Sequence, residues 1–247
     1  MKNEGESGSG AVLLVIFNIR RTFTTVFGLF YIIIGMAMPI AITIAISSTI
    51  GNQQGITQVP IAFSLIPAIL PMFAVIGSMG VAYFFSTDRS DGLYEYLIAT
   101  RKIKISDIFL SYSIIDTIIV SVILGVDLAI IYIILTLKAP SLLHGLLMLV
   151  IVYSIPVAYF ASLLSVLAML TWSSLSKKFA AVNAPGGIGS LIGFIPPVVF
   201  LLVGVDSRIF AGNLDVIGGL FSIVIFGAFI ILLVVVLKLM SNERMLA

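Results

Sequence analysis

From Thr22 through Thr87 the chain carries no charged side chain at all. A soluble domain draws about a quarter of its residues from Asp, Glu, Lys and Arg and needs them on its surface. Across all 247 residues the charged share is 10%, against 60% hydrophobic. Most of this chain therefore cannot fold with water as its solvent. A helix crosses the hydrocarbon core with about 20 apolar residues. The apolar runs here are long and unbroken, unlike the roughly ten-residue alternating segments of a membrane β-barrel. The expected fold class is an all-α integral membrane protein.

Six apolar segments are long enough to cross, at about 23–49, 61–86, 108–136, 143–172, 184–205 and 215–238. Residues 1–10 are polar, with Glu4, Glu6 and a Gly/Ser run, and read as a disordered tail rather than a signal peptide. Residues 11–247 form a single transmembrane domain. Its first element, residues 11–21, is too short to span and ends on Arg20 and Arg21, as a helix lying in the membrane interface does. Lys2, Arg20, Arg21, Arg89, Arg101, Lys102, Lys104, Lys177, Lys178, Lys238 and Arg244 all fall on one side of this arrangement. Only Lys138 and Arg208 fall on the other. The positive-inside rule makes the crowded side cytoplasmic and puts both termini there. The expected location is the plasma membrane.

Several chemistries are excluded. The chain has no cysteine and a single histidine, His144, so neither thiol catalysis nor a zinc site has its ligands. The net charge of +2 is too small to point to nucleic acid. No phosphate-binding loop of the form G-x-x-x-x-G-K-[ST] occurs, so the chain does not hydrolyse ATP by that route. Asp116 and Asp127 lie about three helical turns apart on one span and cannot act as an aspartyl protease dyad. Neither acid is cheap there, because a carboxylate near the bilayer centre costs about 2.5–3.5 kcal/mol on insertion scales. Each has two readings: a proton or cation relay or a contact for a cationic substrate, or an acid that is protonated or hydrogen-bonded to Ser, Thr or Tyr of a neighbouring helix. Asp127 is the candidate for a substrate or ion path.

The charge-free run ends at Asp88. Between there and Asp107 the chain becomes two-signed, with Asp88, Asp91 and Glu95 early and Arg101, Lys102 and Lys104 late. That order suits a helix dipole. Leu93, Tyr96 and Leu97 fall at i, i+3 and i+4 and predict one apolar face, while Gly92 permits a sharp entry from the second span. A solvated connector accounts for the charges but needs neither the tyrosines nor the length.

The string DRSDGLYEYLIATRKIKISDIFLSY resembles the signature of ABC-2 type permeases, the membrane subunits of ATP-binding cassette exporters. Asp88 and Arg89 match an acidic-basic pair, Asp91 and Gly92 an acid-glycine pair, Leu93 the leucine, Glu95 the second acid, and Leu97 to Thr100 the closing run. Arg101 stands where the family usually has proline. The motif covers about a tenth of the chain, and the interfacial first helix with six spans extends the likeness over nearly all of it. The resemblance implies that Asp88, Arg89, Asp91, Gly92, Leu93, Tyr94, Glu95, Tyr96 and Leu97 form a cytoplasmic coupling helix seated on an ATPase subunit. It also implies a dimer of permeases, identical or related, with spans 1, 2 and 5 lining the path. This chain would hold no cofactor, with ATP and Mg on the partner. The 173–183 loop with Lys177 and Lys178 is a second candidate contact. A largely apolar path favours an amphipathic or lipid-like substrate.

Two other classes remain open: an ion-coupled secondary transporter using Asp127, and a membrane scaffold recruiting a cytosolic partner through residues 88–107. Two conformations are likewise open for residues 198–214. Pro196 and Pro197 either kink a span that continues to about Val205, or end it before a re-entrant hairpin. Gly189 and Gly193 form a small-xxx-small pair suited to close helix packing.

Overall fold

The computed structural model describes residues 7–52, 59–100, 103–138, 140–175 and 188–205, with single positions between 224 and 234. Among them there is no strand. The helices are α1 (Ser7–Thr24), α2 (Val26–Asn52), α3 (Val59–Ser90), α4 (Leu93–Ala99), α5 (Ile105–Lys138), α6 (Pro140–Leu149), α7 (Ile155–Leu175) and α8 (Ile188–Val205), with a π-helical turn at Val150–Ser154 joining α6 to α7. Four stretches are long and apolar enough to cross a membrane: Val26–Ser48, Leu65–Ser90, Ile105–Lys138 and Leu143–Thr171. They correspond to the first four expected segments. The described part of the fifth expected segment, from Ile188, is helical as α8 and packs on α7 and α3. The sixth, like Lys177, Lys178, Arg208, Lys238, Arg244 and residues 206–214, lies wholly or largely outside the described residues.

Composition sets each boundary locally. Ser7–Gly10 are already helical, so α1 takes in the end of the segment expected to be a tail. Thr25 separates α1 from α2 without breaking the chain's helical course. Its backbone N–H bonds Arg21 O at 3.0 Å, and its Oγ1 accepts the Gly28 N–H at 3.3 Å as an N-cap. One side of α1 packs on α5, while Val12, Leu13, Ile16 and Phe17 stay exposed on the other. That two-sidedness fits a helix lying against lipid.

α5 has 34 residues, about 51 Å at 1.5 Å per residue, against about 30 Å of hydrocarbon. It therefore tilts or projects beyond the apolar layer. Two clusters pack along it. At the α4 end, Ile105, Ile108, Phe109 and Tyr112 meet Phe85, Tyr94, Leu167 and Leu170. At the α6 end, Val120, Leu124, Ile131 and Leu135 meet Ile66 and Leu70 of α3 and Leu146 of α6. Between the clusters the Ile123 side chain wedges α2 against α3. A Cβ on Gly77 would fall 2.1 Å from Ile123 Cδ1, and one on Gly35 2.9 Å from the same carbon. Only hydrogen fits there, which is how small residues let membrane helices approach.

Proline shapes two helices. The π turn ends two residues before Pro156, with the Ile155 N–H bonded to Val150 O, five residues back. Proline removes a donor and crowds the preceding turn, and the wider π turn accommodates this. In α8 the helix runs through Pro196 and Pro197 to Val205. Of the two conformations open from the sequence, the helix continues to Val205. Gly193 lies against Ser165 of α7 and Val75 of α3.

Candidate functional site

Where α3 ends, the chain reverses in two residues. The Asp91 N–H bonds Thr87 O at 3.0 Å and the Gly92 N–H bonds Arg89 O at 3.2 Å, closing the last turn. Gly92 takes φ 78° and ψ 13°, the left-handed conformation that glycine adopts without a Cβ clash. The Tyr96 N–H then bonds Gly92 O at 3.2 Å and α4 begins. Thr100 closes α4 by donating both its N–H and its hydroxyl to Tyr96 O. Asp107 reaches back to the Lys104 N–H at 2.9 Å and caps the start of α5, as in a capping box. The segment 88–107 is thus not one amphipathic helix. Asp88 and Arg89 belong to α3, and the helix between the spans is the seven-residue α4.

Asp88 is the centre of the site. It is 6% exposed. Its Oδ1 accepts from Arg21 Nη1 of α1 at 2.7 Å. Its Oδ2 accepts from the Tyr94 hydroxyl of α4 at 3.0 Å and lies 3.4 Å from the Tyr112 hydroxyl of α5. The two tyrosine hydroxyls also bond each other. Burial, followed by the neighbouring Tyr112 and Asp88, pushes the Tyr94 phenol well above its ordinary range, so it stays protonated and donates. Aromatic rings enclose the polar atoms. Arg21 lies over the Phe84 ring at 4.4 Å, Phe85 stacks on Tyr94 at 5.2 Å, and Phe85 meets Tyr112 edge-on at 5.4 Å. Beside this cluster Arg89 pairs with Glu95 across the turn. One carboxylate therefore ties together α1, α3, α4 and α5. Removing one member of a buried charged pair typically costs about 3–5 kcal/mol, because the other is left uncompensated.

The outward side of α4 is different. Tyr96 is 61% exposed and Leu93 38%, with Asp91, Ala99 and Thr100 also exposed. The face expected to be apolar, Leu93, Tyr96 and Leu97, is not the buried one. Tyr94 and Ile98 are buried, with Leu97 partly so. Seven residues make fewer than two turns, and at that length the apolar spacing fits more than one helical phase. Tyr94, expected as a surface anchor, is fully buried; Asp88 and Arg89 face inward, and Glu95 is half-buried. Asp91, Leu93 and Tyr96 are the members of the predicted set available to a partner. Arg101 and Lys102 lie outside the described residues.

Two contributors were not expected from the sequence. The sequence marks Arg21 only as the end of the interfacial helix and a topology signal, and gives Tyr112 no role. A tyrosine inside an apolar span needs a partner for its hydroxyl, and that requirement was the available clue.

The two intramembrane acids are also resolved. Asp116, 1% exposed, accepts from Ser162 Oγ of α7 at 3.0 Å, which matches the reading of an acid bonded to a neighbouring helix. Asp127 is fully buried, and among the described residues neither of its oxygens has a hydrogen-bond partner. The described residues hold no cluster of His, Cys, Asp or Glu able to bind a metal. Comparison with protein-family models, curated proteins and solved structures finds no match to this chain.

Proposed function

We propose that the chain is the membrane-spanning subunit of an ABC-2 type exporter, moving an amphipathic or hydrophobic substrate outward with ATP hydrolysed by a separate subunit. The observation that carries this reading is the tie from α4 through Asp88 to three long helices. A short helix held this way acts as a lever. Force on its outer face reaches α1 and α5 without first bending a loop. Asp91, Leu93 and Tyr96 would meet the ATPase in the cytoplasm, with tyrosine as the anchor and the acid at the rim. On this reading six spans cross the plasma membrane, both termini are cytoplasmic, and two permease copies form the path. ATP and Mg sit on the partner subunit. The motif from Asp88 to Thr100 supports the assignment, and so does the exposed apolar face of α1.

The test is reconstitution with a candidate ATP-binding cassette subunit in lipid nanodiscs. Substrate should stimulate ATP hydrolysis, and Tyr96→Ala with Asp91→Lys should abolish the stimulation while leaving the permease folded. Transport that survives ATP depletion and collapses with an ion gradient would overturn the reading in favour of a secondary transporter. A complex that assembles but never responds to substrate would leave a scaffold.

A further inference from the structure

Asp127 stands in a row it does not match. Along α5 the buried positions Val120, Leu124, Ile131 and Leu135 are aliphatic and pack on Ile66, Leu70 and Ala74 of α3 and on Leu146, Val150 and Ala158 beyond. Asp127 falls in the same register, one helical turn from Leu124 and one from Ile131. It is 0% exposed, with both oxygens unpartnered. Asp116, on the same helix, shows what a structural acid looks like here, since Ser162 donates to it. A buried polar group left without a partner costs free energy that an aliphatic side chain in its place would not. A role confined to packing would be better served by leucine.

We propose that Asp127 is a proton-binding site within the membrane, its carboxylate taking up a proton from hydronium to give the neutral acid and water, and releasing it again by the reverse step. The ligand is the proton because a carboxyl with no exposed surface offers a larger ion no contact from solvent. The carboxyl is enclosed by side chains and reached by no solvent. Among the described residues no cation is paired with it. Apart from the charged cluster around Asp88 at the far end of α5, the titratable groups among the described residues of the packed elements are Arg20 on α1, Tyr31 on α2, Tyr83 on α3, His144 on α6, Tyr153 in the π turn and Tyr159 on α7. None is hydrogen-bonded to Asp127, and Tyr159 is bonded to Ser121 instead. On α5 itself Lys138 bonds Ser48, Tyr112 belongs to the Asp88 cluster, Asp116 is bonded by Ser162, Asp107 caps the start of the helix and Tyr132 is exposed. A site without a built-in counter-charge changes its charge by one whenever a proton binds or leaves, so it links the helix packing around it to proton exchange.

The test is an infrared pH titration of the full chain in lipid nanodiscs, following the carbonyl stretch of protonated carboxyl groups. We expect one band that is lost in Asp127→Asn, is retained in Asp116→Asn, and titrates reversibly in a step separate from that of exposed carboxyls such as Asp91. Should Asp127→Asn fail to fold, Asp127→Glu should shift the frequency of the same band. The proposal is overturned if the Asp127 band titrates together with the exposed carboxyls, or if it does not respond to pH. Neither outcome bears on substrate-stimulated ATP hydrolysis, so this proposal and the exporter reading stand or fall separately.

Discussion

Asp88 and Asp127 are both aspartates buried in a helical, apolar protein, and they are opposites. Asp88 collects donors from three other helices, Arg21, Tyr94 and Tyr112, and sits where chain direction reverses. Asp127 collects none among the described residues and falls in register with the aliphatic positions Leu124 and Ile131. The contrast separates two uses of a buried charge. A fully partnered carboxylate fixes geometry, because each partner is stranded if it moves. An unpartnered one fixes nothing and stays in the chain at a cost.

The comparison predicts opposite signs for similar substitutions. The largest effect is expected at Asp88. Asp88→Leu leaves Arg21 without its carboxylate and the two buried hydroxyls with only each other, and should destabilise by about 3–5 kcal/mol, read from urea or thermal unfolding in detergent. Asp127→Leu should instead be neutral or stabilising, by up to about 3 kcal/mol in the same assay. A loss there as large as that at Asp88 would erase the distinction between the two sites. A double-mutant cycle of Arg21→Ala with Asp88→Ala should give a coupling of about 1–3 kcal/mol, whereas Arg20→Ala with Asp88→Ala should give a coupling near zero. Gly92→Ala forces a Cβ into the left-handed region and should cost about 1–2 kcal/mol, with Gly92→Asn milder. The smallest stability effect, within about 0.5 kcal/mol, is expected for the exposed Tyr96→Ala, whose consequence should appear only in partner binding.

Much of this could be read from composition and spacing, and the failures have physical causes. The charge-free run announced membrane helices, Gly92 announced the turn, and Asp127 stood out because its neighbours are aliphatic. These signals are local or depend on what is missing. Arg21 and Asp88 are 67 residues apart, and nothing in the spacing of either predicts the other. Their pairing is a product of tertiary packing, which brings the end of α1 against the end of α3. The phase of α4 was missed for a related reason. Tyr94 and Tyr96 are chemically identical, and which one turns inward depends on Phe85 and Tyr112, residues from other helices. At Pro196 and Pro197 the sequence left two courses open because helix breaking by proline is a tendency, and packing on α7 and α3 decided for continuity.

The π turn at Val150–Ser154 has a consequence for how this protein could change over time. A helix that spends one extra residue in a turn is rotated by about 100° beyond that point relative to one that does not. The extra residue sets which way the α7 side chains face α3 and α8 relative to the α6 residues before it. Losing a single residue there would leave the span long enough to cross while turning Ser162 away from Asp116 and Ser165 away from Gly193. In this stretch a one-residue deletion is thus a larger event than most substitutions, and length is under tighter constraint than side-chain identity.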